Sequence, residues 1–511
     1  MRSTFLTVLL ALAISSMVVR GGVRAQSSEQ QIINDALAAV GGRERVAAVR
    51  TLVIEGAGHD LNFTQSLRWD ELGAQSDVWQ IRNYRRAYEL GSRRGRFEAT
   101  REAQYPFFQG EMAAPVVQGV DGDVAFNVAG GNATRIFGQP AAARRVEFLR
   151  HPLTLLRTAM DPAAKLSNAR TQGSERVVDV TTGGLTVSLS IDGTTKLPTR
   201  VVWRTDGPTL GDHGIETRFA DYRAVSGLQL PTRFTTRTDR FTSADVRILK
   251  QTLDSDVGNL AAPASVASAA PPAGGPPPIP VTVDEIAKGL WFLTGQTHHS
   301  LLAEFSDHLM LIEAPNEART LAVIAKIREL RPGKPLTTLL VSHHHIDHTS
   351  GVRAAVAEGV TEIITYRSNV AYLQEVLKRP HTINPDHLAK KPNPKPVKIT
   401  AIDDEGVVRD SAMTINLYHL RDNSHADSML LIYFPNGRIL TEADVYMPND
   451  RRNVIDGEPL GHAPWNRNLL ANVTMRKLQV DWIAPLHGER VPYSQFLDSV
   501  VTMTQFVPQS Q

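Results

Sequence analysis

The sequence predicts an α+β protein with a β-rich antiparallel-sheet domain in its N-terminal half and a domain of alternating strands and helices in its C-terminal half. Residues 27–258 contain many short runs in which apolar and polar residues alternate. Residues 259–280 are rich in proline and alanine, and residues 281–508 alternate strand-like with helix-like segments. A chain of 511 residues with 42% apolar and 21% charged residues is long enough for two cores.

The first 25 residues have the composition of a secretory signal peptide. Arg2 is an early positive charge, an apolar run extends from Phe5 to Val19, and small residues precede the predicted cleavage after Ala25. A membrane anchor is the alternative, but this apolar run is short for a span and is interrupted by Ser15 and Ser16. We therefore expect a periplasmic or secreted protein with no stable membrane span after signal removal.

The cysteine content of the chain excludes disulfides, and its net charge argues against a nucleic-acid partner. The chain has no cysteine, so it forms no disulfide. Its formal charge is +2, which becomes −1 when Arg2, Arg20 and Arg24 leave with the signal. Nucleic-acid binding normally needs a strong basic face, so we expect a small-molecule substrate and no nucleic acid. The sequence gives no indication of the oligomeric state.

The N-terminal half begins with a predicted helix over residues 31–40 and continues with strands. A further helix over residues 142–150 could cover one face of their sheet. Alternation of apolar and polar residues predicts the strands at residues 51–55, 78–82, 185–191 and 200–204. The pattern resembles the curved-sheet domains of periplasmic lipoprotein carriers, above all in residues 221–231. Nothing in this half predicts its role.

Residues 259–280 predict an interdomain linker. They contain almost no side chain that can build a core, and their clustered prolines favour a semi-rigid spacer. The linker predicts two independently folding units with few contacts between them.

A histidine-rich motif at residues 341–351 predicts a metal site. A buried strand over residues 336–342 leads into it, and a helix over residues 351–358 follows. In extended backbone His343 and His345 point the same way, and the next turn brings Asp347 and His348 toward a neighbouring position. Imidazole and carboxylate ligands suit Zn²⁺ best, with Fe, Mn or Ni as alternatives. One loop could therefore serve two metals.

Residues 281–508 resemble the metallo-β-lactamase-fold hydrolases, whose signature is the HxHxDH motif. The resemblance implies an αββα sandwich and two zinc ions. It adds His425 before a strand as the third histidine of the first site, Asp444 after the next strand as the bridging ligand, and His487 as the last histidine. The implied metal ligands are His343, His345, Asp347, His348, His425, Asp444 and His487. Glu442, two residues earlier than the bridge, is expected to be a bystander.

The sequence departs from the family pattern beside the second and third strands of this domain. His299 replaces the usual Asn, and Glu313-Ala-Pro replaces the usual Asp-Thr-Gly, so the substrate pocket cannot be transferred from relatives. His298, His299 and His344 are expected to be hydrogen-bonding neighbours of the ligands, because the ligand set is already full.

The predicted function is hydrolysis of an ester, lactone or amide, including a β-lactam, by metal-bound hydroxide. Asp347 is the predicted catalytic residue, which orients the water and takes its proton. Two alternatives remain: a mononuclear-iron thiol dioxygenase of the same fold, and an apolar-ligand-binding protein whose metal site is vestigial.

Overall fold

The computed structural model describes residues 27–70, 77–103, 113–271, 273, 277–448, 454–455, 458–459 and 463–504. The predicted signal peptide lies outside the described residues. None of the helices described in these ranges is both long enough and apolar enough to cross a membrane.

The N-terminal domain is built on one antiparallel sheet of 13 strands, which confirms the predicted β-rich antiparallel architecture. The spatial order is β6-β5-β4-β3-β2-β1-β13-β12-β11-β10-β9-β8-β7, so hairpins join neighbours on both sides of the central β1–β13 pair. The strands are β1 Thr51–Asn62, β2 Asp77–Glu89, β3 Arg94–Ala103, β4 Ala113–Asp121, β5 Val124–Ala129, β6 Asn132–Ile136, β7 Lys165–Gln172, β8 Glu175–Thr182, β9 Leu185–Asp192, β10 Pro198–Gly207, β11 Gly211–Val225, β12 Leu228–Thr238 and β13 Phe241–Leu253.

Four helices cover one face of this sheet and supply its core: α1 Ser28–Val40, α2 Arg43–Ala48, α3 Gly138–Leu149 and α4 Pro152–Ala159. Helix α1 buries its apolar stripe, including Ile33 and Leu37, against the sheet. Helix α4 begins with Pro152 at its first turn and with His151 as its N-cap. The Nδ1 atom of His151 accepts a hydrogen bond from the Leu153 N–H at 3.1 Å.

We expect His151 to make the stability of this domain sensitive to acid. Burial lowers the pKa of His151 to about 3, although a hydrogen bond with Gln251 opposes the shift. Below pH ~6.5 the unfolded chain binds a proton that the folded chain does not, so the free energy of unfolding falls as the pH falls from about 6.5 toward 3. This group should lower stability by about 2 kcal/mol between pH 7 and pH 5.

The matched variant is His151→Asn, which keeps a capping side chain and removes the titrating ring. Urea unfolding of both proteins at pH 7 and pH 5 should show a smaller acid-induced loss of stability in the variant. Equal losses in the two proteins would contradict this assignment.

The linker runs along the N-terminal domain and contains one short helix, α5 Ala264–Ala267. Leu260 and Val266 are buried, and Arg135 Nη1 donates to the carbonyls of Ala267 and Ala269. The linker is therefore packed where it leaves the first domain.

The C-terminal domain contains two sheets that face each other. The seven-stranded sheet has the order β14 Thr282–Ala287, β15 Leu290–Thr294, β16 Ser300–Glu304, β17 Leu309–Ile312, β18 Leu336–Leu340, β19 Glu362–Tyr366 and β20 Lys398–Ile402, and it is parallel from β17 onward. The six-stranded sheet has the order β21 Glu405–Arg409, β22 Thr414–His419, β23 Leu430–Phe434, β24 Ile439–Thr441, β27 Trp482–Ile483 and β28 Val491–Pro492. A separate two-stranded pair joins β25 Val454–Ile455 to β26 Glu458–Pro459.

Helices cover the outer faces of both sheets and complete the predicted αββα sandwich. In β15, Leu290 and Phe292 join the core between the sheets, whereas Trp291 and Leu293 join the core beneath the helices. The helices are α6 Glu317–Leu330, α7 Ile346–Thr349, α8 Val352–Ala357, α9 Asn369–Lys378, α10 His387–Lys390, α11 Ala463–Met475 and α12 Tyr493–Thr504. The α+β class predicted from the sequence is thus confirmed.

Candidate metal centre

The histidine motif occupies the loop between β18 and the short helix α7. Strand β18 is buried, and the chain leaves it at the carboxyl end of the parallel strands, where loops of α/β sheets converge. Gly351 closes this loop against the loop that follows β17. A Cβ atom on Gly351 would lie 2.0 Å from Thr320 Oγ1, and the Gly351 N–H donates to the Ala314 carbonyl. The motif therefore lies directly beside Glu313.

The first candidate ligand group contains His343, His345, His425 and Asp444, all buried. One ligand atom from each lies within 4.8 Å of the others. Two of these atoms have no hydrogen-bond partner among the described residues, namely His343 Nε2 and His345 Nδ1. The His343 Nε2 atom is 3.2 Å from Asp444 Oδ2, but without the geometry of a hydrogen bond. Unpartnered, buried imidazole nitrogens are the donors that a metal requires.

The second candidate group contains Asp347, His348, Asp444 and His487, and its ligand atoms also lie within 4.8 Å of one another. Asp347 is the most exposed member of the group. Its Oδ2 atom is 3.8 Å from His348 Nε2 and 3.9 Å from His487 Nε2. The two groups share one residue, Asp444.

Asp444 lies between the two groups. Its Oδ2 atom is 3.2 Å from His425 Nε2 and 2.9 Å from His348 Nε2, and its Oδ1 atom is 2.8 Å from His487 Nε2. One carboxylate therefore reaches histidines of both groups. Asp444 also has φ 62, a left-handed backbone that is rare outside glycine and is common at functional sites.

Hydrogen bonds hold the second ring nitrogen of most of these histidines. Ser342 Oγ lies 2.9 Å from His343 Nδ1, and Glu313 Oε2 lies 2.7 Å from His348 Nδ1. The Nδ1–H of His487 donates to the Thr297 carbonyl, which leaves Nε2 free to face Asp444. Partners of this kind fix the orientation and tautomer of metal-binding histidines.

Burial and charge determine the protonation of the site. Burial lowers the pKa of His343 to about 3, so its ring is neutral, as a metal ligand must be. Burial opposes ionisation of Asp444, but His348 and His487 hold its pKa well below the ordinary value. Burial likewise opposes the charged form of His348, whose pKa is nevertheless raised well above its usual range by Asp444, Asp347 and Glu313. Carboxylates concentrated in so small a space favour cation binding.

The residues present fit two metal ions. The first group offers three imidazoles and a carboxylate, and the second offers two imidazoles and two carboxylates, which are nitrogen and oxygen sets suited to Zn²⁺. All seven residues predicted from the sequence are brought together.

The additional histidines belong to neither ligand group, and their hydrogen bonds go to different partners. His344 bonds to Ser428 Oγ through Nδ1 and to the Ser66 carbonyl through Nε2. His298 Nε2 is 3.4 Å from Asp347 Oδ2, and His299 Nε2 donates to the Gln296 carbonyl.

Glu442 belongs to neither ligand group, as predicted, but it has a structural role beside Asp444. Its side chain is fully buried, and Oε2 accepts hydrogen bonds from the Val445 and Tyr446 N–H groups. Glu442 thereby holds the turn on which Asp444 lies. Burial raises the pKa of Glu442 to about 8, so the side chain is mainly protonated at neutral pH.

Contacts between the domains are more numerous than the composition of the linker led us to expect. Arg240 forms two hydrogen bonds with the Glu375 carboxylate, and Asp212 accepts from the backbone of Thr382 and Ile383. The expectation of few interdomain contacts is therefore wrong, because composition describes the linker and not the surfaces that it joins.

Sequence reasoning missed several supporting residues. In the sequence Glu313 stands out only as a departure from the family pattern. Its position after a buried strand that pairs with the motif strand could have indicated its role. The sequence could not indicate the roles of the Ser66 and Thr297 carbonyls, because every residue has a backbone carbonyl. By resemblance to the family, whose loops after the bridging aspartate face the metals, Tyr446, Asn449, Arg451 and Arg452 are either pocket contacts or part of an exposed polar loop. Tyr446 is buried, and the other three lie outside the described residues.

Comparisons with known proteins bear on the same half of the chain. A family model described as the metallo-beta-lactamase superfamily matches residues 267–487. No match was found among curated proteins.

Three of the solved structures that are similar to this chain are the following. The metallo-beta-lactamase FIM-1 from Pseudomonas aeruginosa, in a mono-zinc form, is 18% identical, with 45% of this chain and 97% of that chain covered and a TM-score of 0.34. A metallo-beta-lactamase from Hirschia baltica is 16% identical, with 44% and 98% covered and a TM-score of 0.33. Rubredoxin oxygen:oxidoreductase from Desulfovibrio gigas is 12% identical, with 45% and 62% covered and a TM-score of 0.34.

Proposed function

Since residues 267–487 form a domain of the metallo-beta-lactamase superfamily, we propose that the protein is a dinuclear metal-dependent hydrolase, with zinc as its metal. The observation that carries the proposal is the position of Asp444, whose carboxylate lies beside His425 of the first ligand group and beside His348 and His487 of the second. The proposed substrate is a small molecule with an ester, lactone or amide bond, a β-lactam included.

Two divalent cations at this centre would supply Lewis acidity and a water whose pKa is lowered to about 7. His343, His345 and His425 would hold one cation, and Asp347, His348 and His487 the other, with Asp444 between them. No serine, cysteine or threonine nucleophile is required by this assignment.

Asp347 is the proposed catalytic residue, because it is the more accessible carboxylate of the centre. Burial opposes its ionisation, but His348 and a hydrogen bond from His298 hold the pKa of Asp347 below its ordinary value. A carboxylate that remains ionised accepts hydrogen bonds well and takes up protons poorly. Orientation of the attacking water is therefore its main proposed role.

The test is a substrate panel combined with metal analysis of the full chain. Chromogenic esters, lactones and β-lactams should be assayed after reconstitution with Zn²⁺, Mn²⁺ or Fe²⁺, and bound metal should be counted. Two metals per chain together with hydrolysis of one substrate class would support the proposal. A single iron and oxygen consumption with thiols would favour the dioxygenase instead.

We also propose export to the periplasm or the medium, which rests on the signal-like composition of residues 1–25. The mature chain should begin near Gln26, so N-terminal sequencing of exported protein should read Gln-Ser-Ser. Recovery of the intact Met1 terminus from a membrane fraction would refute this prediction.

A further inference from the structure

The N-terminal domain reaches the metal centre through residues 62–70, which begin at the last residue of β1 and contain a 3-10 turn, Phe63–Gln65. Hydrogen bonds away from the candidate ligands attach this 62–70 segment to the C-terminal domain. Trp69 Nε1 donates to the Ser368 carbonyl at 2.9 Å, and the Asp427 N–H donates to the Leu67 carbonyl at 3.0 Å. The Trp69 ring also packs on Tyr372, with 5.9 Å between ring centroids.

The Ser66 carbonyl lies directly behind the first ligand group. Ser66 is 1% exposed, and its oxygen is 3.0 Å from His345 Nε2 and 2.9 Å from His344 Nε2. A carbonyl oxygen only accepts hydrogen bonds, so the proton of the neutral His345 ring is on Nε2. The lone pair is then on Nδ1, which is the buried ring nitrogen that has no hydrogen-bond partner among the described residues.

The same segment touches the second ligand group. Gln65 Nε2 is 3.4 Å from Asp347 Oδ1, whereas His298 Nε2 is 3.4 Å from the other carboxylate oxygen, Oδ2. Consecutive residues of the N-terminal domain therefore contact one candidate ligand from each group.

We propose that the 62–70 segment belongs to the metal centre and contributes to metal affinity. In this proposal the Ser66 carbonyl acts as a positioning group. It holds His345 in the tautomer that directs Nδ1 toward the first cation, while Gln65 restrains Asp347. This inference rests on the metal binding proposed above. It assigns the N-terminal domain a role in metal affinity, and it means that the C-terminal domain alone has an incomplete centre.

Docking of the two domains does not by itself explain this arrangement. Ion pairs and hydrogen bonds elsewhere in the interface, such as those of Asp212 with Thr382 and Ile383, already join the domains without touching a ligand. Asp212→Ala is therefore a matched control, because it weakens the interface and leaves the 62–70 segment in place.

The sharpest test changes one carbonyl. Replacing Leu67 with its α-hydroxy acid converts the Ser66–Leu67 peptide bond to an ester, whose carbonyl is a weaker hydrogen-bond acceptor. The Leu67 N–H lost in this exchange has no hydrogen-bond acceptor among the described residues. A second pair of variants, Trp69→Ala and Trp69→Phe, releases the segment to different degrees, because Phe retains the ring contact with Tyr372.

Zn²⁺ affinity of the full chain should be measured by competition with a chelator, and the ligand field should be followed in the Co²⁺ electronic spectrum. The Leu67 ester and Trp69→Ala should each bind the first Zn²⁺ about tenfold or more weakly and alter the Co²⁺ spectrum, since lost hydrogen bonds to ligands have effects of that size. Trp69→Phe should lie between Trp69→Ala and the parent, and Asp212→Ala should resemble the parent.

Unchanged affinity and spectrum in both the ester and Trp69→Ala would overturn the inference, as would an equal loss in Asp212→Ala. These readouts do not depend on turnover. A parent that binds metal but hydrolyses nothing would refute the proposed function and leave this inference standing.

Discussion

Replacing Asp444 with asparagine should reduce hydrolysis by about a thousandfold or more and should lower the metal content below two per chain. Asp444 is the one residue shared by the two ligand groups, so its charge is lost from both. The loss of a shared carboxylate removes several kcal/mol of transition-state stabilisation. Most histidine ligands remain, so partial metal binding should survive. Metal analysis and a hydrolysis assay on the same preparations measure both effects.

The matched control is Glu442→Gln, two residues earlier on the same turn. Because burial raises the pKa of Glu442 to about 8, glutamine resembles the form present at neutral pH and retains an acceptor for the Val445 and Tyr446 N–H groups. This variant should keep two metals and near-parental activity. If it loses both while Asp444→Asn keeps them, the shared ligand has been assigned to the wrong carboxylate.

The local part of the metal centre was predictable because its chemistry is concentrated in sequence. His343 and His345 alternate in extended backbone after a strand, and the structure places them on the same side of the loop, with 4.4 Å between ring centroids. His425, Asp444 and His487 were located only through the family resemblance. Their separation in sequence is large, and no local periodicity links them.

The supporting contacts were not predictable for a different reason. The hydrogen bonds from His344 and His345 to Ser66 span 278 and 279 residues and end on a backbone carbonyl. They depend on how the two domains dock, which side-chain patterns within each domain do not specify. The alternation of apolar and polar residues was enough to predict the type of sheet in each domain. The position of the 62–70 segment could be seen only in the tertiary structure.

Glu313 is the side chain beside the metal centre whose replacement should have the next largest effect. It is 1% exposed, has φ 70, and lies at the end of β17. Oε1 accepts from the Ser342 N–H at 2.6 Å, and Oε2 is 2.7 Å from His348 Nδ1. One carboxylate thus connects the motif strand to a ligand of the second group, and the negative charge favours a proton on Nδ1, leaving Nε2 to face Asp444.

Glu313→Gln keeps the volume of this side chain but can accept only through one oxygen, so either His348 or the Ser342 N–H meets an amide NH₂ group. We expect metal affinity at the second group, and hydrolysis with it, to fall by about 10- to 100-fold. Glu304→Gln is the control, because Glu304 pairs with Arg331 and Lys334 away from the ligands. In a stepwise chelator titration, the metal at the first ligand group should be retained, and the metal at the second group should be released at a lower chelator concentration than in the parent. Parental affinity for both metals in Glu313→Gln would mean that packing alone orients His348.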